Sequence, residues 1–117
     1  YVLQECLRLR ERRQDLFRHG DYRPLESRGR LGGRVIAFAR SGGGEWLFAA
    51  VPRAAGSLML SEGLDRAFRG TEILLPEALH GRWIRDVFTG RRIRGLTLDL
   101  GELFARFPVV LLEGPVP

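Results

Sequence analysis

The chain has 117 residues, 44% of them apolar and 28% charged, which suits one globular domain and excludes both wholesale disorder and two full cores. No apolar run approaches the ~18 residues that span a bilayer, and Arg8 interrupts the first apolar segment before it can act as a secretion signal. A single cysteine, Cys6, excludes an internal disulfide framework and a multi-cysteine zinc site; a reducing cytoplasm is the expected compartment.

The chain opens on Tyr1 and its only methionine is Met59, so it reads as a fragment or a processed chain. All 19 basic residues are arginine and the net charge is +5. That balance invites a small nucleic-acid-binding β domain. The distribution argues against it. The densest stretch, Arg8 to Arg18, also holds Glu11 and Asp15 at helix-pairing distances. The remaining arginines are scattered, with no stripe interleaved with aromatics.

Residues 1 to about 18 predict a helix, because Val2, Leu3, Cys6, Leu7, Leu9, Leu16 and Phe17 recur at three- and four-residue spacings without Gly or Pro. His19-Gly20 supplies the stop. The apolar positions cover about half the circumference, wider than the ~100° stripe of a one-sided helix, so this helix is expected to pack on two sides. Residues 1–17 are accordingly a candidate surface for self-association.

From residue 21 to 117 short β-like runs replace the helical period. Tyr22 to Glu26 predicts an edge strand, because Pro24 cannot donate to a ladder. Arg34–Arg40 and Glu45–Val51 flank Ser41-Gly42-Gly43-Gly44, a hairpin signal, and their apolar faces predict central strands covered on both sides. Residues 53–70 predict a long loop or a short helical excursion. Further strands are expected at Thr71–Leu75, Arg82–Phe88, Arg91–Arg94, Leu96–Leu100 and Val109–Glu113, with a turn or single helical turn over Gly101–Phe107. The tail Gly114–Pro117 should fray. The whole predicts a mainly β fold, an antiparallel β-sandwich preceded by one N-terminal helix. Its expected core is Val35, Ala37, Phe38, Trp46, Phe48, Trp83, Val87, Leu98, Val110 and Leu112.

Residues fit for chemistry are few. His19 and His80 stand sixty-one positions apart, each beside a glycine, and read as loop histidines rather than ligands. Cys6 reads as a packed thiol. Gly42-Gly43-Gly44 lies between strands, where a hairpin explains it better than a phosphate cradle. Asp86 and Asp99 could pair as catalytic carboxylates, but alternation makes both outward strand residues. Trp46 and Trp83 could stack on a sugar, and with Tyr22 they carry the reading of a stand-alone α-glucan-binding module; core packing is the simpler role. No nucleophile, base and oxyanion hole come together, and no cofactor or metal is expected.

Several phrases in order resemble one family. They are Leu7-Arg8-Leu9-Arg10-Glu11-Arg12-Arg13, Leu16-Phe17, Gly20-Asp21-Tyr22-Arg23-Pro24-Leu25, Val35-Ile36-Ala37-Phe38-Ala39-Arg40, Ala50-Val51-Pro52-Arg53 and Gly70-Thr71-Glu72-Ile73-Leu74-Leu75-Pro76. Gly81-Arg82-Trp83, Asp86-Val87-Phe88-Thr89-Gly90 and Leu103-Phe104-Ala105-Arg106-Phe107-Pro108-Val109-Val110-Leu111-Leu112 complete the series. Together they resemble the C-terminal region of maltooligosyl trehalose synthase, a member of the α-amylase superfamily. Phe68 stands near a Trp usual in that family, and Ala54 to Arg69 fits it loosely.

The resemblance implies a (β/α)8 barrel upstream, with residues 1–20 as its last helix and 21–117 as the C-terminal β-sandwich. It implies a parent enzyme that converts the reducing-end α-1,4 linkage of a maltooligosaccharide into an α,α-1,1 linkage by intramolecular transglycosylation, for trehalose biosynthesis. The parent's nucleophilic Asp, general-acid Glu and stabilising Asp belong to the barrel, and no position here carries them. The expected partners are that barrel and the maltooligosaccharide substrate.

Overall fold

The computed structural model describes residues 2–14, 20–53 and 63–117. Gly43 and Gly44 set its longest hairpin. Both have positive φ, 59° and 80°, the left-handed pair that a two-residue turn needs to match the twist of its strands. They join β3 (Val35–Gly42) to β4 (Glu45–Pro52) in a continuous antiparallel ladder from Val35↔Pro52 to Gly42↔Glu45.

Around this hairpin a six-stranded antiparallel sheet assembles in the order β1-β3-β4-β9-β6-β7. β1 (Asp21–Pro24) takes the edge, where Pro24 is tolerated. β9 (Val110–Gly114) enters between β4 and β6 (Ile84–Asp86), and β7 (Arg92–Ile93) closes the far edge. A second sheet, β2-β5-β8, pairs Ser27–Arg28, Glu72–Leu74 and Thr97–Asp99. Leu25 and Glu26 carry the chain between sheets: the Leu25 N–H donates to the Ala37 carbonyl, and the Glu26 carbonyl accepts from Leu74.

The main core joins both sheets. Ala37, Ala39, Phe48, Ala50, Val110 and Leu112 from the first meet Ile73 and Leu98 from the second. Two short helices, α2 (Leu64–Ala67) and α3 (Leu100–Leu103), fill the gap with Phe68 and Phe104, whose rings meet edge-on at 5.2 Å. Helix α1 (Val2–Arg12) lies on the opposite, outer face of the six-stranded sheet, where Leu9 packs with Leu47, Val87 and Leu111.

The mainly β architecture with a leading helix agrees with the sequence expectation, and residues 63–70 do contain the short helical excursion. Several details differ. Strands β3 and β4 are not covered on both faces: α1 shields the Leu47 and Leu111 strip, and Ile36 is left 48% exposed. Trp83 is not core. It is 36% exposed, because the inward position of β6 is taken by its neighbour Ile84. Val35, Phe38 and Trp46 are half-buried. Asp86 is buried rather than outward, its carboxylate accepting the Phe88 and Thr89 N–H groups to form the turn after β6. Nor does the tail fray: the Val116 N–H donates to the Trp83 carbonyl at 2.8 Å, and the Pro117 carbonyl accepts from Arg92. The expected continuation of the first helix over Leu16 and Phe17, and residues 54–62 of the expected loop, lie outside the described residues.

Phe48→Ala removes a ring that is 2% exposed and should cost on the order of 3–5 kcal/mol. Trp83→Ala should cost about 1 kcal/mol, mostly through lost contact with arginine side chains. Urea denaturation of the two variants checks this ordering, and equal losses would contradict it.

Candidate functional site

The outer sheet face carries the side chains that could meet a partner. Cross-strand pairing sets Tyr22, Arg40, Leu47, Glu113, Arg85 and Arg92 in one row across all six strands. At ~4.8 Å per strand the row spans about 24 Å. Helix α1 crosses it near the middle and divides the face in two.

At the crossing lies an ion cluster. The Glu113 side chain is 4% exposed and accepts from Arg85 through Nε at 3.0 Å and Nη2 at 2.6 Å. From α1 and the residue after it come Arg12 at 3.6 Å and Arg13 at 3.4 Å, and Arg13 also reaches Glu45 at 2.7 Å. Burial alone pushes the Glu113 carboxyl up. The hydrogen bonds and charge of Arg85, with the charges of Arg12 and Arg13, outweigh it and hold the group below the ordinary carboxylate range. Burial likewise opposes the Arg13 charge, but Glu45 and then Glu113 leave its pKa raised. The cluster clamps α1 to the sheet.

On the β1 side of α1 the face is apolar. Leu7 and Leu9 with Phe38, Leu47 and Leu111 form the apolar part of a groove of about 270 Å³, which Cys6, Arg10 and Arg40 also line. Leu7 is 58% exposed, and Ile36 and Val51 extend the open apolar surface along the sheet.

On the β7 side the face is basic and aromatic. The Arg94 guanidinium lies 4.6 Å and that of Arg92 5.4 Å from the Trp83 ring centroid. Two other aromatics are likewise paired, Tyr22 with Arg40 at 5.9 Å and Trp46 with Arg23 at 5.5 Å.

The residues singled out from sequence are not brought together. The exposed His80 bonds the Leu75 carbonyl through Nε2 at 2.9 Å, and His19 lies outside the described residues. Cys6 sits half-buried in the groove. Asp86 is engaged in its turn, while Asp99 caps α3 and accepts the Gly70 N–H, so the two serve separate structural ends. Gly43 and Gly44 are the hairpin turn. Tyr22 and Trp83 stand on opposite flanks of the six-stranded sheet, and Trp46 points to the core side with Phe48 stacked at 5.9 Å. They therefore form no twin platform for a glucan. A second cavity of about 270 Å³ has Asp86 and Glu102 in its wall, but Glu102 pairs with Arg91. Among the described residues no group of three His, Cys, Asp or Glu could hold a metal, and no helix is long and apolar enough to cross a membrane.

Sequence reading missed both the Glu113 cluster and the Trp83–Arg92–Arg94 group. The second had a signal. Trp83-Ile84-Arg85 and Arg92-Ile93-Arg94 alternate about the Thr89-Gly90 turn, which sets Ile84 opposite Ile93 and Arg85 opposite Arg92. The first had none, since Arg13 and Glu113 lie a hundred positions apart.

Compared with protein-family models, with curated proteins and with solved structures, the chain matches none.

Glu113→Gln should destabilise the chain by about 3 kcal/mol at neutral pH, since it strands cations around a buried neutral amide. A lowered folded pKa gives stability that is complete above the unfolded value of 4.5 and is lost as pH falls through the folded value. Urea titrations should therefore find the variant's deficit shrinking below pH ~4. A deficit that is constant through that range would mean Glu113 is not held as a carboxylate by these arginines.

Proposed function

We propose that the chain is the non-catalytic C-terminal domain of a maltooligosyl trehalose synthase, its two sheets a sandwich of the α-amylase C-terminal kind. The observation that carries this reading is the place of the resembling phrases in the fold. Val35–Arg40 lies on β3, Ala50-Val51-Pro52 closes β4, and Gly70–Pro76 surrounds β5. Asp86–Gly90 makes the capped turn, and Val110, Leu111 and Leu112 lie on β9. The likeness thus falls on residues that build the sheets.

In this reading α1 is the last barrel helix. Its buried Leu9 grips the sheet while its exposed Leu7, with Ile36 and Val51, offers an apolar surface to the barrel. The work of the domain is to complete the fold of the parent and support the rim of its glucan cleft. Chemistry on the maltooligosaccharide belongs to carboxylates of the barrel. The parent would be cytoplasmic.

An antibody raised to this chain should detect, in source-cell extract, a polypeptide several times its 13.2 kDa. That polypeptide should form a trehalose-type linkage from maltooligosaccharide. A native band at the chain's own size, with maltooligosaccharide binding by the isolated chain, would replace this reading by a stand-alone α-glucan-binding module.

Freed of a barrel, the same surface supports self-association through α1. Sedimentation should show a concentration-dependent dimer that Leu7→Glu abolishes. A strict monomer at all concentrations would remove self-association.

A further inference from the structure

Arginines that carry no ion pair are costly to crowd together, because like charges a few Å apart repel and gain nothing from each other. Most arginines of the outer face avoid this. Arg85, Arg12 and Arg13 share Glu113, and Arg13 adds Glu45. Arg92 and Arg94 do not. Both are drawn to one indole, that of Trp83, so their guanidinium carbons lie no more than about 10 Å apart. Arg82, exposed, precedes the same tryptophan. Among the described residues none of Arg82, Arg92 and Arg94 has an Asp or Glu side chain at ion-pair distance. Arg92 gives one donor to the Pro117 carbonyl and retains the others.

From this geometry we infer that the β6–β7 ribbon binds a phosphate group, clamped by Arg92 and Arg94 over Trp83. The parts suit that anion. A guanidinium fork gives two parallel donors, and phosphate offers two (diester) or three (monoester) non-bridging oxygens, each able to accept more than one bond, so two arginines can hold it at once. The indole fixes both guanidinium groups beforehand, which lowers the ordering cost of binding. The turn capped by Asp86 holds the register of the ribbon, and β9 anchors it to the main sheet. A carboxylate can also be shared by arginines, as Glu113 is, but phosphate directs its oxygens tetrahedrally and so can meet two forks arriving from different directions.

The phosphate could belong to a small phosphate ester or to a phosphodiester strand, and the two differ in measurable ways. Trp83 is 36% exposed, and aromatic side chains at such sites are what bases of a strand stack on. The proposal is independent of the assignment to a trehalose-forming parent.

The test uses the whole chain at low salt, with inorganic pyrophosphate and a 12-nucleotide oligothymidine as probes. The readout is the indole N–H resonance of Trp83, assigned by its absence in Trp83→Phe. Saturable movement of that resonance with either probe is expected. In Arg92→Gln/Arg94→Gln the affinity should fall at least tenfold while the circular dichroism stays that of the parent chain. Arg94→Gln alone should give an intermediate loss, which keeps the test open if the double variant does not fold. A strand as the source predicts that the oligonucleotide binds at least tenfold tighter than pyrophosphate, with log K falling against log salt at a slope of about −1.5 to −2 for two or three contacts. A monoester source predicts that pyrophosphate binds as well as the strand or better. No movement with either probe, or equal binding by a folded variant lacking both arginines, overturns the site.

Discussion

The carboxylate of Glu113 holds together parts of the chain that have no local reason to meet. It stands on β9, and β9 is the strand inserted between the β3–β4 hairpin and the β6–β7 ribbon. Each of those units can form from nearby residues. Their union depends on a strand that arrives last in the chain, with Glu113 opposite both Leu47 and Arg85. The same carboxylate then receives Arg12 and Arg13 from the beginning of the chain. A buried charge of this kind is a poor source of net stability, since desolvation offsets much of the attraction. Its value lies in placement: any register that moves β9 by one residue would aim the carboxylate into the apolar interior and strand its arginines.

Placement of α1 follows from that constraint and decides what the outer face offers. Leu9 is drawn onto Leu47, Val87 and Leu111, while the arginines that follow are held by Glu113 and Glu45. The helix therefore runs as a ridge across the row of cross-strand neighbours. One side keeps the apolar character of β3 and β4, with Ile36 and Val51 in the open. The other collects the polar alternation of β6 and β7. Two surfaces of different chemistry on one sheet can meet two different partners without competing for space.

How much of this is legible in the sequence depends on the range of the interaction. The β3–β4 hairpin is legible because Gly43 and Gly44 act within a few residues and alternation on either side fixes the pairing. The core contribution of Phe48, Leu98, Val110 and Leu112 is legible for the same reason. Phe68 and Phe104 are not, because the surrounding segments have neither a strand period nor a helix long enough to show one; only the packing of α2 against α3 buries them. Trp83 misleads in the opposite sense. An apolar-looking strand suggests burial of its largest residue, but pleating gives the inward position to Ile84 and sends Trp83 out among arginines. The scattered arginines misled likewise, since alternation and cross-strand pairing gather residues that are far apart in order.

The choice of arginine over lysine acquires a physical role once these contacts are seen. Coding bias can fill a chain with arginine, yet Tyr22, Trp46 and Trp83 each lie beside at least one guanidinium. A planar, weakly hydrated cation can lie on a ring and still direct its N–H groups outward, whereas an ammonium is compact, strongly hydrated and holds its water. The arginines thereby keep exposed aromatic rings partly covered, which lowers the apolar area presented to solvent. They also stiffen side chains that would otherwise lose much rotamer freedom on binding. An arginine that covers an indole is consequently already oriented toward an anion, and at Trp83 two of them are.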